Sequence, residues 1–255
     1  MNRLRAIYLW DLTLGLHNRF LQVFALACVL AGSALLAAAP GPETLPLVLI
    51  QAILFFGSLF AALVGWASGQ QARSEAAMLF AQPIGPGELL VGKLLGTGTW
   101  ALVLLLLFIG PAVLRAEMPG AIAALGSLSL AFLLVSVLAG LVIGVLNNPV
   151  SGLLGVLLAW AVAVAGWELG LLLLSDFAWM QQAPSLFVTL LLINPAGMFR
   201  IGAMLGLETV PLNADELDAG RLMLSNIWLT AAAVFTLWLA ALLTFGRWAL
   251  ARQEF

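Results

Sequence analysis

The chain has 255 residues, of which ten are Lys or Arg and twelve Asp or Glu. Charged residues make up 9% and hydrophobic residues 63%, where a soluble domain carries roughly 25% and about 45–50%; the mean hydropathy is +1.11. So sparse a charged set cannot clothe a soluble fold. The apolar content excludes disorder, the lack of basic surplus excludes a nucleic-acid binder, and a single cysteine excludes a disulfide scaffold. The composition is that of a membrane protein.

In chain order, the first segment is "RLRAIYLWDLTLGLHNRF". Leu4, Ile7, Leu12 and Leu16 recur at nearly helical steps, and Arg3, Arg5, Arg19, Tyr8 and Trp10 suit a helix lying in the membrane interface. The alternative is that this stretch is the beginning of the first span. Beyond it, no charge occurs at 20–42, 44–72, 94–114, 118–167 or 222–246. A bilayer core of about 30 Å takes about 20 helical residues. The longest gap holds two spans, divided by the turn-forming "LNNPVSG" at 146–152. Six spans are therefore expected, near 20–39, 47–67, 94–114, 121–146, 151–174 and 228–247. Runs such as "ALVLLLLFIG" lack the alternation of a membrane strand, so the fold expected is an all-α integral membrane protein. Glycine and alanine thread several spans and permit close packing in lipid. The first apolar run is too long for a cleavable signal core and is expected to stay as an anchor.

Basic residues near span ends orient the chain. With the N-terminus inside, Arg3, Arg5, Arg19, Arg73, Lys93, Arg247 and Arg252 lie inside, and Arg115, Arg200 and Arg221 outside. Both termini are then cytoplasmic.

The units outside or between spans follow. Residues 1–19 are the interfacial helix, 20–67 hold spans one and two, and 68–93 form a cytoplasmic loop. Spans three to five occupy 94–174, an outer cap covers 175–227, and 228–255 hold span six and the tail. In the loop, "EAAMLF" reads as a short helix ended by "PIGPG", and "ELLVGK" starts another with Glu88 in its first turn. In the cap, "LFVTLLLI" is too short to cross and suggests an interfacial or partly re-entrant helix ending at Pro195. "AGMFRIGAMLGL" suggests a second short helix, with Arg200 amid apolar residues. This cap either meets an external partner or closes the bundle.

Chemistry-bearing residues are few. His17 and Cys28 are the single histidine and cysteine, and supply neither a redox pair nor a zinc ligand set. They read as an interfacial polar residue and an apolar filler. Seven methionines show no tight cluster suited to copper, and no phosphate-binding loop occurs. No catalytic, cofactor or metal site is expected in this chain. Glu168 is the one charge inside an expected span, where a carboxylate is expensive. It either faces a pathway or a partner residue, or marks the point where span five reaches the wet interface.

"GLHNRF" at 15–20, "MLFAQPIGPGELLVGKLLG" at 78–96 and "LLLINPAGMFRIG" at 190–202, together with the layout, resemble ABC-2 type permeases with the type V exporter-like fold. Within that class the resemblance is to the permeases that serve maturation of the copper enzyme nitrous oxide reductase. The resemblance implies a non-enzymatic homodimer in the bacterial inner membrane. It implies a separate ATPase subunit, holding ATP and magnesium, on the cytoplasmic face of each copy, and a periplasmic maturation protein as a further partner. The coupling region would then include Arg73, Glu75, Leu79, Phe80, Pro83, Glu88 and Lys93, and the outer cap would use Asn194, Pro195, Phe199 and Arg200. Where the class often has an acidic-Gly pair before the Leu run, this chain has "RSEAAMLF", and Pro86 stands where Arg often follows the turn. The rival readings are an ABC-2 exporter for another substrate and a carrier or assembly scaffold without ATP coupling.

Overall fold

The computed structural model describes residues 3–38, 44–80, 84–113, 119–177, 180, 182, 184–206 and 226–252. The described helices are Arg3–His17 (α1), Arg19–Ala38 (α2), Thr44–Ala52 (α3), Ser58–Phe80 (α4), Pro86–Val113 (α5) and Pro119–Leu146 (α6). They continue with Pro149–Ala161 (α7), Trp167–Ser175 (α8), Pro184–Ile193 (α9), Pro195–Gly206 (α10) and Ile227–Ala251 (α11). Two five-residue π-helical segments, Ile53–Gly57 and Val162–Gly166, carry α3 into α4 and α7 into α8.

Among the described residues, five stretches are each long and apolar enough to cross a bilayer: Thr44–Glu75, Pro86–Gly110, Ala123–Leu146, Pro149–Ser175 and Ile227–Ala251. They correspond to the second through sixth expected spans. The first expected span is α2, whose twenty residues reach about 30 Å. It forms a pair with α1, bent by 70° between Leu4–His17 and Leu21–Leu35. A second bent pair, Ser185–Ile193 with Pro195–Gly206, turns through 104°. The described residues thus form an all-α bundle with five helices long and apolar enough to span a membrane, or up to seven if each bent pair is one span.

One local expectation is corrected. "EAAMLF" is not a separate short helix: α4 runs unbroken to Phe80, because "GQQARSEAAMLF" contains good helix formers and no proline. The helix expected to start in "ELLVGK" is present: α5 begins at Pro86, has Glu88 in its first turn and carries Lys93. Pro86 tolerates the first helical position because its missing N–H has no intrahelical role there. The Gly85 N–H donates to the Glu88 carboxylate at 3.1 Å, half of a capping box. In "LNNPVSG", Asn148 accepts from the Ser151 N–H at 2.8 Å and Pro149 opens α7, so the divider between spans four and five is a capped turn.

The tightest packing is between α4 and α6. A Cβ on Gly65 or Gly69 would collide with the carbonyls of Val137 or Leu141, and one on Gly140 or Gly144 with those of Ala62 or Trp66. Four glycines, spaced four apart on each helix, therefore bring backbone against backbone. Gln70 closes the crossing by donating to the Gly144 and Asn147 carbonyls at 2.7 and 2.9 Å. Val137, Leu138 and Leu141 on α6 are wholly buried.

Contacts also sort the ends of the bundle. Ile7 lies over Gly92, Arg247 over Gly87, and Leu90 against Gly246, which places α1, the start of α5 and the end of α11 together. Helices α8, α9 and α10 gather at the other end, tied by bonds described below.

Replacing Gly140 by Leu should cost at least the roughly 1–3 kcal/mol of an overpacked core. Gly126→Ala, where no atom lies within 4 Å of an added Cβ, should be close to neutral. Thermal unfolding of the detergent-solubilised protein, followed by circular dichroism, compares the two.

Candidate functional site

The first site joins α1, α4 and α5. On α1, Ile7, Asp11 and Gly15 follow one another at i, i+4 and i+8. On α5 they meet Gly92, Gly96 and Trp100 at the same spacing, so the two helices run in the same direction over two turns. A Cβ on Gly96 would come within 2.6 Å of the Asp11 carboxylate, and one on Gly92 within 2.6 Å of Ile7. The glycines make room for the larger α1 side chains. The expected stripe on α1 is only half realised: Ile7 is buried, but Leu16 is exposed. The packed face carries Asp11 in its middle, because α5 and α4 offer that carboxylate a complete set of partners.

Those partners are specific. Asp11 Oδ1 lies 2.9 Å from Lys93 Nζ and accepts from the Ser68 hydroxyl at 3.1 Å; Oδ2 accepts from the Thr97 hydroxyl at 2.9 Å. Glu75, toward the C-terminal end of α4, stands 4.0 Å from the same ammonium and accepts from the Gln71 amide at 3.1 Å. Asp11 is 5% exposed and Lys93 1%, so one ammonium sits between two carboxylates away from solvent. The Trp100 indole donates to the Leu12 carbonyl at 3.2 Å and ties the next turn of α1 to α5. A buried pair of this kind adds little net stability over an apolar replacement, but leaving one member unpaired is strongly unfavourable. It therefore acts as a register device: α1, α4 and α5 keep one mutual arrangement, or separate as a unit.

The second site lies at the opposite end. Glu168 on α8 is ion-paired with Arg200 on α10, so its partner is a residue of the same chain. Asn194 donates to the Ala163 carbonyl at 2.6 Å. That carbonyl lies within the π segment Val162–Gly166, where the changed register removes ordinary helical bonds. The Asn194 carboxamide oxygen also accepts from the Ala196 N–H at 3.2 Å, Pro195 opens α10, and a Cβ on Gly197 would strike the Leu191 carbonyl. Each residue of "NPAG" thus serves the sharp reversal from α9 to α10. Phe199 is fully buried and stacks on Phe132 of α6, with ring centroids 5.0 Å apart and planes 9° apart. Indole N–H groups hold the hairpin, Trp167 donating to the Leu190 carbonyl at 2.9 Å and Trp238 to that of Ile193 at 2.8 Å. Helix α10 is therefore sunk into the bundle, where the sequence suggested a short helix in an outer cap. Its apolar residues pack on α6 and α11, and Arg200 is neutralised by Glu168.

Of the other sequence-identified residues, Arg73 and Glu88 are exposed. Pro83 lies outside the described residues, as do the side chains of Leu79 and Phe80 and the acidic stretch at 207–225. The structure brings Glu75 and Lys93 together and separates them from Arg73 by burial. Sequence reasoning missed Asp11, Ser68 and Thr97 as a site. The available signal was that Asp11 is the sole acidic residue before Glu43 and that "GKLLG" puts Gly92 and Gly96 one turn apart around Lys93. Among the described residues no group of three or more His, Cys, Asp or Glu is placed to hold a metal.

No protein-family model matches the chain, and a search of curated proteins finds no match.

Two mutational cycles follow from the ion pairs. Asp11→Ala should cost about 3–5 kcal/mol by stranding Lys93, and adding Lys93→Met should restore most of it. Equal losses in the single and the double variant, read from thermal unfolding, would contradict pairing. At the other end, Glu168→Gln should cost about 1.5–3 kcal/mol, as for a hydrogen bond to a charged group. Exchanging the charges with Glu168→Arg and Arg200→Glu should recover part of that loss.

Proposed function

We propose that the chain is the permease subunit of an ATP-binding-cassette transporter of the ABC-2 class. In this reading, ATP and magnesium are bound by a separate ATPase subunit, and two permease copies each receive one ATPase on the cytoplasmic face. Both termini are cytoplasmic, and the system transports or signals across the bacterial inner membrane in the copper-site maturation of nitrous oxide reductase, where a periplasmic maturation protein meets the outer end.

The coarser part of this reading, a polytopic helical bundle suited to a transporter, is what the fold itself displays. The observation that carries the finer part is the Asp11–Lys93–Glu75 junction. Glu75 lies near the end of α4 and Lys93 two turns into α5, so these residues bracket the segment at 81–85 on which an ATPase would act. A displacement there is delivered to α1, α4 and α5 together, because parting α1 from α5 splits the buried Asp11–Lys93 pair, and withdrawing α4 removes the Ser68 hydroxyl from Asp11 and Glu75 from Lys93. The α4–α6 glycine crossing gives the stroke a rigid lever, and α6 contacts α10 through Phe132 and Phe199. Energy from the partner reaches the far end only if the two states differ in such contacts.

The Glu168–Arg200 pair weighs against a charge-carrying secondary carrier, whose in-membrane charges line an accessible pathway. Here the carboxylate is already engaged.

The test is co-purification with a candidate ABC ATPase subunit, repeated after deleting residues 78–88. The deletion should abolish retention of the ATPase while the permease still elutes as a single species. Retention at the original level overturns the coupling role.

A further inference from the structure

A cavity of about 490 Å³ lies between α2, the α3–α4 helix, α5 and α6. Its walls are apolar: Phe24, Ala31 and Ala34 from α2, Phe56 and Phe60 from the α3–α4 helix, and Phe108 from α5 are representative. Apart from the Cys28 thiol, no lining side chain offers a hydrogen-bonding group. Water, an ion or a polar cargo would find no partners there, and a dry apolar space of this size takes an apolar occupant.

The shape narrows the choice. The lining runs from Phe24 to Ala38 along α2 and from Ala52 to Val64 along the antiparallel wall, so the space is about 18–21 Å long at 1.5 Å per residue. Counting all the empty space out to its open mouth, about 1330 Å³, the mean section over that length is at most roughly 63–74 Å². A helix about 10–12 Å across, side chains included, needs roughly 80–110 Å². A helix of a second copy therefore cannot enter, whereas a single extended hydrocarbon chain can. Ala27, Ala31, Ala34 and Ala38 are exposed although they line the cavity, as is Phe56, and Val23, Leu26 and Leu30 on α2 are exposed beside them. The mouth thus opens sideways, between helices whose flanks carry large apolar side chains at membrane depth.

We infer that this cavity is an intramembrane site for one acyl chain of a bilayer phospholipid, entering laterally between α2 and the α3–α4 helix. Small residues on α2 create the slot, and the π segment Ile53–Gly57 lies in the opposite wall, where its altered register sets the positions of Ile53, Phe56 and Gly57. The occupied chain supplies the dispersion contacts that α2 otherwise lacks on that face. The assignment is independent of any ATP coupling.

The experiment places the full chain in nanodiscs containing a phosphatidylcholine with a photoreactive diazirine on one acyl chain, and maps the crosslinks by peptide. Crosslinks should concentrate in 24–38 and 52–64 over the exposed face of α7. They should fall to the level of that face in Ala31→Leu and Ala34→Phe, while the lipid-facing control Ala161→Leu leaves them unchanged. As a second measurement that needs no substitution, adding phosphatidylcholine back to delipidated protein should raise the unfolding temperature. Crosslinks spread evenly over all exposed helix faces in the unsubstituted chain, or a crosslink pattern in which the filling variants match it, overturn the assignment. So does an unfolding temperature that does not respond to added lipid.

Discussion

The crossing of α4 over α6 is the constraint on which the other contacts depend. In lipid there is little hydrophobic gain from bringing two helices together, so their association rests on close packing. Gly65 and Gly69 face Gly140 and Gly144, and each would foul a main-chain carbonyl if it carried a Cβ. That contact fixes the separation and rotation of the two most central helices. Ser68 is then turned toward α1, and on α6 Phe132 is turned toward α10. Both polar sites inherit their geometry from it.

The sites share a logic. A charge at membrane depth is tolerated when a counter-charge and enough donors meet it in one geometry. Asp11 is met by Lys93, Ser68 and Thr97, and Glu168 by Arg200. Each pair joins a helix at one end of the bundle, α1 in the first case and α10 in the second, to a helix that belongs to a long span. Neither arrangement contributes much net stability. Both penalise intermediate positions, which is the property a two-position element requires.

Much of the fold was legible because charge is expensive in hydrocarbon. The long uncharged gaps marked the apolar helices, and "LNNPVSG" marked the turn between two of them. The same reasoning stopped at Lys93. A lone lysine in the first turns of the helix after "PIGPG" reads as solvated, and the three-dimensional meeting with Asp11, 82 positions away, is what allows its burial. Asp11 was hidden for the matching reason, since an acid in an amphipathic N-terminal helix looks like a solvated one. At Glu168 the sequence posed the question correctly, and the answer required knowing that α10 folds back into the bundle. The uncharged run at 177–199 has the length of a span, but Pro184 and Asn194-Pro195 break it into a hairpin. The π segments left no sequence signal that composition or periodicity reads. Each has a tertiary bond within or beside it, Asn194 to the Ala163 carbonyl and the Trp160 indole to the Ser58 hydroxyl at 3.0 Å, that a local pattern does not contain.

Those two bonds place a π segment of each long composite helix under the control of a neighbour. Ser58 follows directly on Ile53–Gly57, donates to the Leu54 carbonyl within the preceding turns and accepts from Trp160. Trp160 itself stands two residues before Val162–Gly166, the segment whose Ala163 carbonyl Asn194 satisfies. Helix α10 packs against both segments. The position of α10 and the winding of both irregular turns are thus set together. The glycine crossing joins α4 to α6, α6 holds α10 through Phe132 and Phe199, and α10 in turn packs on the π segment of each long composite helix.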